Sequence, residues 1–333
     1  MAITVNGPVP DDRLGIVAAH EHLLYGLPGW HDDPAVLFDR PKVFDALLAA
    51  LREFKAAGGN SLMDASGTLC GRDPEFLKAL SAAAGINIIA SCGLGAQELI
   101  PGYFGLPLAE RALREQRRDG EPPLWIPDAG YIGGMLGAEM SDGMPMAGMV
   151  RSRACAGFVL CACSAQPASE IEEMAIRGAA MAARRHDVPL RLEGGAHAPR
   201  LFPLITAEGL AAGRVVIGHC DDARCLDSAR DRELASQGAY VAYDHVGWQD
   251  GSPHAMPDAQ RVQQVKDMVA AGYAERVLLS CGTVGCGLGV PASKHGVSHL
   301  LKDFVPRLSG AGVGDSALHT LLVENPRRLF AQL

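Results

Sequence analysis

Each thing this 333-residue chain lacks closes off a class of function. It has no excess of positive charge. The formal net charge is −8 and no basic run occurs, which argues against nucleic acid as the main partner. No apolar run reaches the roughly 18–20 residues that span a bilayer, so no membrane association is expected. The start of the chain, Met1-Ala2-Ile3-Thr4-Val5-Asn6-Gly7, has neither the charged nor the apolar region of a signal peptide. No Gly-x-Gly-x-x-Gly follows the first strand-like run, which weakens a dinucleotide-binding fold. A paired cysteine framework is missing too: the nine cysteines are odd in number and several sit inside apolar runs. They read as the reduced thiols of a cytoplasmic protein.

What the chain does have suits a large buried core. Apolar residues make up 48% and charged residues only 20%. A short extended piece over 3–8 ends in the turn Asn6-Gly7-Pro8. Eight near-continuous apolar runs follow, at 16–22, 59–65, 86–92, 156–163, 188–193, 214–219, 239–245 and 276–281. Helical patterns alternate with them: Pro41–Ala57, a stretch opened by Asp73-Pro74, Ala109–Arg118, Ser169–Arg185, Ala223–Gln237, Pro257–Ala271 and Asp315–Phe330. Buried strands alternating with helices mean a parallel sheet covered on both faces. Eight such units predict an α/β protein: a single (β/α)8 TIM barrel over residues 1–333. Residues 120–154 interrupt the rhythm before the fourth strand, with Met135, Met140, Met144, Met146 and Met149 among glycines and prolines. That composition suits an inserted lid or a subunit contact.

In such barrels the chemistry lies at the C-terminal ends of the strands. The first strand ends in His20-Glu21-His22, and its period of two turns both imidazoles to one face, a ready pair of metal ligands. Two hydrogen-bonded structural histidines are the alternative for that motif taken alone. The fourth strand ends in Leu160-Cys161-Ala162-Cys163 and the fifth in Glu193-Gly194-Gly195. The sixth ends in His219-Cys220-Asp221-Asp222, the seventh in Asp244-His245 and the eighth in Ser280-Cys281-Gly282. Any one of these residues has a structural use; together they mark one barrel mouth as the active site.

These motifs resemble the phosphotriesterase family of the amidohydrolase superfamily. The likeness covers nearly the whole chain. It runs through Thr4-Val5-Asn6-Gly7-Pro8, Leu14-Gly15, His20-Glu21-His22-Leu23, Val216-Ile217-Gly218-His219-Cys220-Asp221-Asp222, Tyr243-Asp244-His245 and Glu324-Asn325-Pro326. The resemblance implies a (β/α)8 barrel, typically with two divalent metals that polarise a phosphoester, lactone or amide. It also implies a homodimer. It carries metal ligation onto His20, His22 and His219. The strand-five ligand becomes Glu193, the bridging residue of strand four becomes Leu160, and the strand-eight aspartate becomes Gly282.

Those departures make a two-metal centre hard to build. Two dications about 3.5–4 Å apart would repel with no bridging anion between them. One divalent ion, zinc or similar, held by His20, His22, Glu193 and His219 is one expectation. A metal-free acid–base network of the same residues is the other. With a metal, the protein hydrolyses a lactone, ester or amide of a small molecule, and Asp222, Asp244, His245 or Glu193 move the protons. Without one, it catalyses elimination, isomerisation or ring closure, as a specialised biosynthetic pathway would require. A non-catalytic relative and a cysteine nucleophile (Cys161, Cys163 or Cys281) are lesser alternatives. Trp30, Tyr103, Phe104, Trp125, Tyr131 and Trp248 lie in loops or in the 120–154 segment and are expected to line a substrate pocket.

Overall fold

The eight apolar runs fold as eight parallel strands. In the computed structural model, which describes residues 1–100, 127–146, 150–164, 167–251 and 254–331, β1 (Ala2–Thr4) and β2 (Gly7–Val9) form a small antiparallel pair. The barrel strands are β3 (Ile16–Gly26), β4 (Gly59–Asp64), β5 (Asn87–Leu94), β6 (Phe158–Ala162), β7 (Leu190–Glu193), β8 (Val215–Gly218), β9 (Tyr240–Tyr243) and β10 (Val277–Leu279). Each pairs in parallel with the next. The eighth strand breaks at Gly282, in the left-handed region at φ +58°, and resumes as β11 (Val284–Leu288). That resumed half pairs with β3, opposing Val284 to His22, and closes the ring. Gly282 N–H donates to His20 O (3.0 Å) and His22 N–H to Thr283 O (2.8 Å) across the seam.

Two apolar clusters hold the barrel. Val17, Ala19, Met63, Leu160, Val216 and Leu278 pack inside it, with Ala2, Leu14, Leu329 and Phe330 closing its lower end. The larger cluster lies between the sheet and the helices. Asp73 caps α2 (Pro74–Ala84) and a proline opens both it and α1 (Arg40–Ala56), as the sequence predicts; Asp39 caps α1 in the same way. Among the described residues no helix is long and apolar enough to cross a membrane.

Three helical stretches went unforeseen, one of them over 300–310 with Pro306 inside it. Glycine-rich α3 (Ala129–Ser141) lies within the expected insertion, and the short α5 (Ala198–Ala207), after α4 (Glu170–His186), contains Pro199 and Pro203. Their glycines and prolines hide the helical period. Helix α3 buries Ile132 and Leu136 in the outer core, while Thr68 and Arg72 hold its Glu139 at 2.8 and 2.5 Å. Met144 is fully buried. The described part of 120–154 is a helix packed on the barrel and its connection, and none of these described residues lines the cavity below. Residues 120–126 and 147–149, including Trp125 and Met149, lie outside the described residues, as does the expected helix Ala109–Arg118.

Candidate active site

Strand β3 does not simply alternate. Val17 and Ala19 face the barrel interior, so strict alternation would turn Glu21 inward as well. The pairing with β4 shifts register between Ala18 and Glu21, and the irregularity reverses the parity. His20 and His22 consequently line the mouth cavity. Glu21 turns outward and accepts from Ser280 Oγ (2.7 Å), Cys281 N–H (3.0 Å) and Thr283 N–H (2.8 Å), tying β3 to the eighth strand. Burial pushes its carboxyl up to about 7 despite those donors.

The cavity measures about 630 Å³, the size of a small-molecule site. At its base His20 Nε2 stands 2.9 Å from Glu193 Oε1, and His219 Nε2 stands 3.8 Å from the same oxygen. Both nitrogens of His20 are buried without hydrogen-bond geometry to any partner. Burial lowers His20 to about 3 and also depresses His22 and His219, so all three imidazoles are neutral near pH 7. Burial alone would raise Glu193, but His219, His20 and Arg191 hold it well below the usual carboxylate range.

Arg191, which the sequence reading passed over, organises this base. It precedes Glu193 by two residues on β7 and so shares its inward face. The side chain is fully buried. Nη2 pairs with Asp244, Nε lies 3.3 Å from Glu193 Oε1, and Nη1 has no hydrogen-bond partner. Gly218 on β8 makes the room, because a Cβ there would fall 2.3 Å from Arg191 Nη2. A charged residue inside an apolar strand run was the available signal. Asp244 in turn accepts from His219 N–H through Oδ1 (3.0 Å) and Oδ2 (3.3 Å), holding His219 at φ +59°. A non-glycine residue in that region is strained, and such strain concentrates at functional sites.

The remaining predicted residues divide. Burial opposes ionisation of Asp244, but the paired Arg191 guanidinium keeps it an anion. Asp222 sits higher, toward the rim, bound by Arg224 (Nη2–Oδ2 2.8 Å, Nε–Oδ1 3.1 Å) and by His254 Nδ1 at 2.8 Å. Arg224 and His254 hold it low against its burial. Neither aspartate is free to take up a proton near neutral pH. His245 stacks on His219 with ring centroids 4.5 Å apart, and its buried Nδ1 lies 3.6 Å from Asp221 Oδ1 without a hydrogen bond.

His22 lines the cavity edge-on to His20, at 4.7 Å between centroids, yet belongs to neither group of converging ligand atoms. Trp248 lines the cavity, anchored by its indole N–H on Cys281 O at 2.8 Å. Trp30 instead packs on Phe38 and does not line it. Tyr131 is 38% exposed on α3, away from the cavity. Both had been expected in the pocket; the β3 loop and α3 carry them elsewhere. Tyr103 and Phe104 lie outside the described residues. Cys161 and Cys220, the latter beyond the end of β8, pack in the outer core, and burial raises the thiols of Cys161 and Cys281. A thiolate nucleophile finds no support there.

Among the described residues two groups of donors converge within 4.8 Å: His20, Glu193 and His219, then His219, Asp244 and His245. The first fits one divalent ion: two neutral imidazoles, one fixed carboxylate and an orphaned buried Nε2. The second does not fit, because Arg191 already holds its carboxylate. Leu160 supplies no bridge between them. A side chain on Gly282 would begin 2.7 Å from Asp244 O.

A (β/α)8 barrel with imidazoles and carboxylates gathered at the C-terminal mouth defines a hydrolase of the amidohydrolase type. The Phosphotriesterase family model matches residues 2–117 and 138–330, and the chain belongs to that family. A "Phosphotriesterase homology protein" of Mycobacterium tuberculosis is 29% identical over 98% of this chain and 96% of its own length. An "N-acetyltaurine hydrolase" of Xenopus tropicalis is 23% identical over 98% and 96%. A variant of a PTE-like lactonase from Deinococcus radiodurans superposes with a TM-score of 0.84 at 27% identity, covering 99% of this chain and 100% of that one.

Proposed function

We propose that this enzyme hydrolyses a lactone, carboxylic ester or amide of a small organic molecule, with one divalent ion held by His20, His219 and Glu193. The observation that carries the reading is the single complete donor group beside a second one blocked by Arg191. When bound, the ion supplies Lewis-acid polarisation of the scissile carbonyl and lowers the pKa of water. Arg191 keeps Glu193 and Asp244 ionised and fixed. With Asp222 and Asp244 held as anions, His245 is the group left to pass a proton to the leaving group. Its Nδ1 lies 3.6 Å from the Asp221 carboxylate. Leu99, Leu160 and Trp248 offer an apolar wall for the acyl portion. In-line displacement at phosphorus draws on a symmetric two-metal clamp, so phosphotriesters are the poorer substrates. The lactonase and N-acetyltaurine hydrolase names among the relatives support carbon–oxygen and carbon–nitrogen bonds. The nine free cysteines support a cytoplasmic setting.

The test is a panel of γ- and δ-lactones, aryl esters, N-acyl amines and a dialkyl aryl phosphate, assayed with zinc, manganese or cobalt. The expected result is hydrolysis of a carbonyl substrate with kcat/KM at least ~100-fold above the phosphotriester. Equal or better phosphotriester turnover would overturn the bond class. Chelator-resistant elimination or isomerisation would move the reading to a metal-free acid–base enzyme, built on the same Glu193–His20 pair.

A further inference from the structure

We propose that Arg191 is a built-in cation that takes the place of a second metal ion and limits this centre to one. The inference deepens the reading above and rests on its one-ion site. The two groups of converging donors share His219, so they lie side by side. The carboxylate of the second group, Asp244, is paired with Arg191 Nη2, while Nε of the same guanidinium lies 3.3 Å from Glu193 in the first. One fixed positive charge thus serves both groups from below. It arrives through a space that exists because residue 218 is glycine.

Charge then sets the stoichiometry. The formal charges of Glu193, Asp244 and Arg191 sum to −1. One dication brings the base to +1. A second would bring it to +3 in a buried setting, with Leu160 where a bridging anion would stand and no side chain at Gly282. Leu160 and Gly282 offer no ligand for a second ion, and Arg191 holds the one carboxylate left there. The guanidinium also pairs the two carboxylates permanently, so the barrel does not need metal to offset their repulsion.

The test counts ions on the full-length protein by plasma mass spectrometry and by calorimetric titration with Zn²⁺, after chelator treatment and desalting. Wild type is expected to saturate at one ion. Arg191→Met, which keeps the stem and removes the charge, is expected to take two, the first at least ~10-fold tighter than in wild type. Arg191→Lys, which keeps the charge, should stay at one. Should Arg191→Met fail to fold even with zinc, Arg191→Gln, which removes the charge but keeps a hydrogen-bond donor, tests the same point and should also gain an ion. Two ions in wild type, or one ion in wild type and still one in a folded Arg191→Met or Arg191→Gln, would overturn the proposal. No ion in wild type but one in Arg191→Met would overturn the one-ion hydrolase while upholding the exclusion by Arg191.

Discussion

Among the described residues Arg191 and Arg261 are both fully buried, and they are used in opposite ways. Every nitrogen of Arg261 has a partner: Nε donates to Asp221 at 2.8 Å, Nη1 to Asp258 at 3.1 Å and to Met256 O, and Nη2 to Trp248 O at 3.1 Å. Every contact joins one piece of scaffold to another, and Asp221 then receives the N–H groups of Asp244 and His245 at 3.0 and 2.9 Å. Arg191 leaves Nη1 unpaired and spends its other nitrogens on the two carboxylates of the cavity base. A buried charge with every nitrogen partnered is architecture. One left partly unpaired beside imidazoles that also lack partners belongs to a site.

The comparison can be broken most sharply by deleting each charge. Arg261→Met should cost about 3–5 kcal/mol, because Asp221 and Asp258 remain buried without their cation. Zinc should not restore the loss, as thermal unfolding with and without metal would show. Arg191→Met should also lose stability but regain much of it with zinc, since an ion can pair the same carboxylates. Equal rescue of both variants would erase the distinction. Next in size, Glu193→Gln should lower kcat by about 10²–10⁴-fold with the fold intact by circular dichroism.

A smaller effect is expected from Gly282→Asp. Restoring a carboxylate there should not improve activity and should destabilise the chain by about 1–3 kcal/mol. Both the left-handed backbone and the nearby Asp244 carbonyl resist a side chain. Smaller again is the pH dependence of the buried imidazoles. His20 is depressed to about 3 when folded, so the unfolded chain binds the extra proton. Its stabilising contribution is therefore present above about pH 6.5 and is lost as pH falls toward 3. Wild type should lose stability over that window, and a His20→Phe variant should lose less of it in urea titrations at each pH. Trp248→Ala should do least, raising KM several-fold with kcat nearly unchanged, in steady-state kinetics on the best substrate.

The eight strands were legible because each is a short apolar run between helical stretches, and the mouth was legible because polar residues end those runs. The roles were less so. His20 and His22 face the cavity only because β3 slips its register after Ala18, a pairing irregularity that no one-strand pattern reveals. Asp222 and Asp244 look alike in sequence, yet one is bound at the rim by Arg224 and the other beneath the cavity by Arg191. Which cation reaches which carboxylate depends on tertiary packing. Arg191 itself was readable as a charge inside an apolar strand two residues before Glu193, but its purpose required Gly218 from the neighbouring strand. Trp30 and Tyr131 show the reverse error: loop or helix aromatics near a mouth often pack elsewhere.

The most direct measurement is the hydrolysis rate of chelator-treated wild type on its best carbonyl substrate, as Zn²⁺ or Co²⁺ is added in fractions of an equivalent. The rate should rise linearly and break at one ion per chain. A break at two ions, or full activity with none, would contradict a one-ion hydrolase whose second cation is Arg191.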